Sequence, residues 1–484
     1  MRLTSLIGLI VFTGAAAIAA EKPIPQDLAA MEKRARDRLE WNLRTTVGAY
    51  EKIGKKDPRW DRPAAEAIAL NARMSSERGA PLITQEQIYK ATKAAVDAGC
   101  DDPLVVNMFC RTSPEPANKA DQEELAGRRK AAAEGYAKSR YPAFRRATFL
   151  GWTGELAVLG KEDDPAARRE AGLIFDAVLA LLPVSVADDD HNPFWEERWF
   201  ETINRLITCY RAIGIEATDA LAKVDAELAK FPALAVVRLE IRGVFWMTYA
   251  WEARTKAFAP MVPEGAMTKF QERLALSQRA FEEAWKLRPG TPRAATCMVN
   301  VEKGLGGDRE AMELWFDRAM KADGDRYNAC ISKLDFLDPK WHGSKEEMVA
   351  FGRACRDTKN WKAAIILLLP EAHHRATAGL SVKQRVDYLN ADGTWAEIRA
   401  VFEEYLSHYP DDDVVRSKYA ALCWGSDHLP EAHAQFEILG DRLTSWSGTH
   451  WVPLESLKQM KTLSAKAVAR KNAEAGKKGV LPKP

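Results

Sequence analysis

Histidine and cysteine are too sparse and too scattered in this chain to suggest a metal or redox centre. Its 484 residues hold eight His and seven Cys. The cysteines stand at 100, 110, 209, 297, 330, 355 and 423 and form no C-x-x-C, so zinc ribbons and thioredoxin-like sites lack support. They read as small buried hydrophobes. The run His428-Leu429-Pro430-Glu431-Ala432-His433 has one residue too many for an inverted zinc motif, and Pro430 at a helix start leaves His428 off the helix that carries His433. The pair His373-His374 with Glu371 is no stronger. G-x-S-x-G, H-E-x-x-H and the P-loop are all missing. Gly304-Leu305-Gly306-Gly307 is a near miss to a nucleotide loop, but it lacks the third-glycine spacing and a preceding strand, so a helix–helix turn is expected there. No catalytic residue, metal ligand or cofactor is assigned.

An excess of one charge is also missing. Seventy Lys and Arg face 68 Asp and Glu, a net charge of +2, which gives no overall push toward nucleic acid or membrane. Long apolar runs are confined to the start of the chain. Arg2, an apolar core at residues 6–12 and the small residues of Ala17-Ile18-Ala19 read as a secretory signal cleaved after Ala19 or Ala20. The apolar stretch is 16 residues, residues 5–20, short of the roughly 20 that span a bilayer. The expected compartment is therefore periplasmic or extracellular, with no transmembrane segment after cleavage. Residues 363–370 form an apolar run of eight, expected as core.

What is abundant is helix-forming sequence. With 46% hydrophobic and 29% charged residues the chain can bury a large core, and from about residue 26 to 457 apolar positions recur at three and four. Capping boxes are expected at Thr84-x-x-Gln87, Ser344-x-x-Glu347 and Thr394-x-x-Glu397. Stops are expected at 288–292, 304–307 and 409–411, and longer loops at 111–119, 183–193 and 257–265.

Near the C-terminus the pattern repeats. Ile398 and Phe402 recur 34 residues later as Ala432 and Phe436, with Tyr405 and Leu439 following in the two units. That period, with small and aromatic residues at helical spacing, resembles the tetratricopeptide repeat, a helix–turn–helix unit that stacks into a solenoid. The middle region keeps a looser phase. Phe281 and Ala284 are followed 35 residues later by Phe316 and Ala319, and 36 after that by Gly352 and Cys355. If a turn lies near Trp341, antiparallel helices bring Cys330 within about a turn of Cys355, close enough to consider a disulfide. The first 230 residues show helical pairs without a fixed period.

Four motifs in the middle region carry a further resemblance. They are Tyr249-Ala250-Trp251-x-Ala253-Arg254, Ala284-Trp285-Lys286-Leu287-x-Pro289, Met312-Glu313-Leu314-Trp315-Phe316-x-Arg318-Ala319-Met320, and the run from Tyr327-x-Ala329-Cys330 through Pro339-Lys340-Trp341-x-Gly343-Ser344 to Ala350-Phe351-Gly352-Arg353. Together, over residues 231–356, they resemble a bacterial family catalogued as domain of unknown function 4034. The resemblance implies bacterial origin and a repeat-like helical fold, and it carries no functional residue. The expected organisation is a signal at 1–20, an N-terminal helical region at 21–230, the family-like region at 231–356, tetratricopeptide-like repeats at 357–457, and a basic, partly disordered tail at 458–484.

Fifteen Trp is a high count for this length. Trp195, Trp199, Trp246, Tyr249 and Trp251, with Arg254 or Glu252 as a polar group, could line a ligand-binding wall. The competing reading is core: Leu234, Val237, Ile241, Phe245 and Thr248 already form one apolar stripe, Trp246 and Tyr249 a second, and a helix apolar on most sides belongs between layers. In the tail, eight basic residues from Lys458 to Lys483 meet Glu474, which suits either a solvated extension or loose attachment to an anionic surface. The reading is an all-α, α-solenoid protein, exported and non-enzymatic, that binds a protein or peptide partner. The alternative is a small-ligand receptor or enzyme with its site in the aromatic middle region.

Overall fold

The computed structural model describes residues 21–76, 82–114, 116, 118–188, 191–254, 265–306, 308–391, 393–445 and 452–477. The expected signal at residues 1–20 and the last seven residues of the tail lie outside these, as does most of the loop expected at 257–265. Among the described residues every regular element is helical and no strand occurs. The chain is an α-solenoid. Most helices pack on the next, as Asp61–Met74 does on Gln85–Asp97 and Asp413–Gly425 on Leu429–Leu439. A second set of contacts joins alternate helices. It links Ala235–Arg254, Pro292–Leu305, Tyr327–Phe336, Leu368–Ala376 and Thr394–His408 into one continuous row.

The repeat phase read from the sequence is the phase of burial. Phe281 and Ala284, Phe316 and Ala319, and Cys355 are all buried at matching positions of the helices Ala266–Leu287, Arg309–Ala322 and Lys345–Asp357. In the C-terminal units Ile398, Phe402, Tyr405, Ala432, Phe436 and Leu439 are likewise buried. Each such residue fills the gap to the neighbouring unit, so the core runs along the chain as three successive apolar clusters. Their divisions fall near residues 245–250 and 364–372. The apolar run at 363–370 is core, with Ile365, Ile366, Leu368 and Leu369 fully buried.

Thr84 and Gln87 form the expected reciprocal capping box. Ser344 caps through Glu347 N–H, but the Glu347 carboxylate turns to Arg309 at 2.9 Å. Thr394 is not a cap. The helix begins at Thr394 after Gly393, and the Glu397 side chain is held by Arg353 and His373 instead. A further capping box forms at Ser381 and Gln384. Of the turn expected at 304–307, Gly306 closes its helix at φ +74°, which suits a residue without Cβ, Asp308 caps the next helix, and residue 307 lies outside the described residues. Thr248 is exposed and does not continue the stripe of Leu234, Val237, Ile241 and Phe245, all of which are buried. Cys330 and Cys355 do share one apolar cluster, but both are free thiols, and Cys330 Sγ donates to Met320 Sδ at 3.7 Å.

One stretch, Pro165–Ala187, is long and apolar enough to cross a bilayer by length and composition alone, and the sequence pattern had not singled it out. Here it is broken into the helices Pro165–Leu179 and Leu182–Ala187. Ala171, Phe175, Val178 and Leu182 are buried in the N-terminal cluster. The tail helix runs Leu454–Lys477 and is anchored through Leu457 and Ser464, both fully buried.

Candidate functional site

A large apolar concavity lies in the C-terminal units, and one of similar size, about 680 Å³, lies among the N-terminal helices around Asp102 and Tyr141. The C-terminal one measures about 670 Å³ and is lined mainly by the helices Leu368–Ala376, Val382–Leu389 and Asp413–Gly425, with Phe402 of Thr394–His408 and Met460 of the tail helix. Its walls follow from local sequence. Asp412 ends the turn after Thr394–His408 and caps the next helix by accepting from Val415 N–H at 3.1 Å, and Tyr405 Oη donates to the same carboxylate at 2.9 Å. That fixes Val415, Lys418 and Leu422 along one lining face, opposite Leu367, Pro370 and His374. Polar groups are few and mostly engaged. Glu371 accepts from Arg375 Nε at 2.7 Å, and Arg375 also reaches Asp335 at 2.5 Å. Arg385 lines the cavity with its Nε buried and without a hydrogen-bond partner.

A second feature is a charged crevice between the N-terminal helix Leu28–Thr45 and a row of turns. Two cavities of about 260 and 170 Å³ share Arg34, Glu197 and Arg326 as lining. Glu197 is paired with Arg38 at 2.8 Å. Burial would raise its pKa, but Arg38, Arg293, Arg326 and Arg34 outweigh burial and hold it below the usual carboxylate range. Deeper in, burial wins: Glu240 is held above the usual range despite Arg293 at 3.1 Å. The members are spread from residue 34 to 326, so nothing in the sequence marked them.

The aromatic residues singled out from the sequence do not form one wall. Trp195 and Trp199 are buried, and both indole N–H groups donate to Ser185 Oγ at 2.9 Å. Trp246 and Tyr249 lie half-buried beside Phe245, with Arg273 3.4 Å from the Tyr249 ring centre. Glu252 is on the outside, in a bidentate pair with Arg211. Trp251 and Arg254 do stay together. Both meet Trp341, Trp251 edge-on at 5.4 Å and Arg254 above the ring at 4.9 Å. Lys303 Nζ completes that cluster, 5.2 Å from the Trp251 ring centre and 3.5 Å from Asp335. Burial holds the Lys303 amine below its usual range.

Among the described residues no group of three or more His, Cys, Asp and Glu is placed to hold a metal. A chain of hydrogen bonds with an acid–base look runs from Tyr388 Oη to His373 Nδ1 at 3.0 Å and from His373 Nε2 to Glu397 at 2.9 Å. Neither His373 nor Tyr388 lines any of these cavities, so the chain braces helices. His428 stacks flat on Trp395 at 4.0 Å and His433 lies on the following helix, so the two do not converge.

No protein-family model and no curated protein matches the chain. Among solved structures it is similar to the crystal structure of yeast Tom70, with a TM-score of 0.26 and 11% identity over 91% of this chain and 93% of that one. It is also similar to the structure of Naa15/Naa10 bound to HypK-THB, with a TM-score of 0.20 and 12% identity over 92% of this chain and 73% of that one. These TM-scores fall below what a shared fold requires, so the assignment to the α-solenoids rests on the stacking of the helices themselves.

Proposed function

We propose that the protein is an exported, non-enzymatic scaffold that holds a protein or peptide partner in the C-terminal cavity. The observation that carries this reading is the cavity itself, about 670 Å³, with Leu367, Val415 and Leu422 as apolar walls and Arg385 as a polar handle. An apolar surface with a few fixed polar groups suits an extended peptide or a partner's side chains, because apolar burial supplies affinity and the polar groups supply direction. The secretory pattern at residues 1–20 and the resemblance of residues 231–356 to a bacterial family belong to the same reading.

The test uses the full chain in its own envelope fraction, with a photo-crosslinking residue at Leu422 and, as control, at the exposed Leu314. A partner crosslinked from position 422 and not from 314, and lost in Val415→Arg, is the expected result. Equal yields from both positions would reject the site. In parallel, Glu252, Arg254, His342, His373, His374, His428 and His433 are replaced singly and tested for complementation of a deletion strain. Folded variants should retain most function. One folded variant with complete loss, equivalent to a rate loss of about a hundredfold or more, would favour an enzyme and place its site.

A further inference from the structure

Residues 21–26 do something the repeats alone do not require. Pro23 and Pro25 flank Ile24, and proline both fixes its own backbone and holds the preceding residue extended, so the segment cannot join the helix that begins at Leu28. It runs instead into the middle repeats, some 300 residues away in sequence. Ile24 is buried among residues of the middle apolar cluster. The Glu21 carboxylate meets Lys333 Nζ and lies 3.9 Å from Arg309. Gln26 Nε2 donates to Gly324 O at 3.1 Å, and Asn360 Nδ2 donates to Gln26 Oε1 at 3.1 Å.

The receiving surface is built. Lys333 is almost fully buried, with 2% of its side chain exposed. Glu313 reaches it at 2.7 Å, and its ammonium lies 4.6 and 4.8 Å from the ring centres of Phe316 and Phe351. Gly324 leaves room for the approach, since a Cβ there would sit 2.5 Å from Met31 Sδ. The helix that follows is held by contacts of its own, Arg34 to Asp323 at 3.7 Å and Arg38 to Glu197 at 2.8 Å. Residues 27–30 are exposed, Leu28 by 64%, and the buried residues of the helix Leu28–Thr45 do not begin until Trp41. The segment is thus seated in the middle repeats, and the exposed residues 27–30 join it to the helix that follows.

We propose that residues 21–26 are an intramolecular ligand, occupying in cis a second peptide site on the middle repeats. The site recognises a carboxylate through Lys333 and Arg309, an aliphatic side chain flanked by prolines, and a side-chain amide through Asn360 and the Gly324 carbonyl. When the segment lifts, a peptide of the same chemistry takes its place. An extended peptide is the natural occupant, because its backbone needs no partner strand and its prolines lower the entropy lost on binding. The site is separate from the C-terminal cavity, and neither reading needs the other.

The test uses the full chain and a fluorescent peptide of the sequence Glu-Lys-Pro-Ile-Pro-Gln-Asp. The double variant Glu21→Arg, Ile24→Asp releases the segment. It should keep the parent's helix content and bind the peptide saturably, with a Kd at least about tenfold below that of the parent chain. Adding Lys333→Met should weaken binding by about tenfold, and a scrambled peptide should not bind. A folded release variant that ignores the peptide, or binds the scrambled one as well, overturns the proposal. So does loss of helix on release, because the segment would then be an ordinary part of the core. A second measurement needs no variant. In the parent chain the amides of Ile24 and Gln26 should exchange faster than those of the helix Tyr327–Phe336, through local lifting. Exchange of both only by global unfolding would reject a separable ligand.

Discussion

His373 Nε2 lies 2.9 Å from Glu397 Oε1, and the same carboxylate accepts two bonds from Arg353 at 3.0 and 2.8 Å. The imidazole is almost fully buried and ties Leu368–Ala376 to Thr394–His408 across a unit boundary. Burial holds His373 below the ordinary histidine range, against the pull of Glu397. Burial would raise Glu397, but Arg353 and His373 together hold it below the ordinary carboxylate range. The unfolded chain therefore takes up protons that the folded chain refuses, first near pH 6.5 at the histidine and then below about 4.5 at the glutamate. Stability is full above about pH 7.5 and falls as the pH drops through 6.5, and His428, also held low by burial, acts in the same direction. Melting temperatures from pH 8 to 5 should show this fall, and His373→Gln should flatten it. An unchanged slope in the variant would place the acid sensitivity elsewhere.

Ser185 accepts from both Trp195 and Trp199 at 2.9 Å and is itself buried. Ser185→Ala leaves two indole donors in an apolar site. The expected cost is about 2–6 kcal/mol, at about 1–3 kcal/mol for each of the two unsatisfied donors. Urea unfolding followed by tryptophan fluorescence measures it, and a loss under about 1 kcal/mol would show that solvent reaches the indoles.

Gly243 faces Phe281 so closely that an added Cβ would lie 2.5 Å from the ring, while Ser277 Oγ donates to the Gly243 carbonyl at 2.8 Å. These contacts hold Ala235–Arg254 against Ala266–Leu287. Gly243→Ala should cost about 1–3 kcal/mol by overpacking. Phe281→Leu in the same chain should recover part of that loss, and strict additivity of the two would mean that they do not share the contact.

Phe436 is fully buried in the last repeat, 34 residues after Phe402. Phe436→Ala should destabilise the C-terminal units by about 3–5 kcal/mol. Hydrogen exchange in Leu429–Leu439 and its neighbours would rise well before that of the N-terminal units, since solenoid repeats share stability mainly with their neighbours. A uniform rise along the whole chain would contradict that local coupling.

All seven cysteines are free, and burial pushes the thiols of Cys100 up to about 11 and of Cys209 and Cys297 up to about 12. Thiolate is the reactive form, so a disulfide reagent at pH 8 should modify the native protein slowly and all seven sites after denaturation. Fast native reaction at Cys355, fully buried in one apolar cluster with Cys330, would mean that this part of the core opens.

The sequence by itself determined the class of the fold and the phase of its repeats. Helical periodicity and the recurrence of Phe402 as Phe436 are local properties, written at three- and four-residue spacing and copied once per unit. Burial then follows the same spacing, because each unit hides its apolar face against the next. Thr84 could be read as a cap because its partner Gln87 lies within the same turn. Thr394 could not be read correctly, because Glu397 is taken by His373 and Arg353 from other helices. Only the tertiary structure decided that the aromatic residues divide between Ser185, the Tyr249 environment and the Trp251–Trp341 cluster. Composition counts rings but does not say which helix face meets which neighbour. The same holds for Glu21 and Lys333, 312 residues apart. A lysine in a helix and a glutamate two residues before a proline are unremarkable in sequence, and only the path of the chain, which carries its N-terminal segment into the middle repeats, turns them into a buried pair.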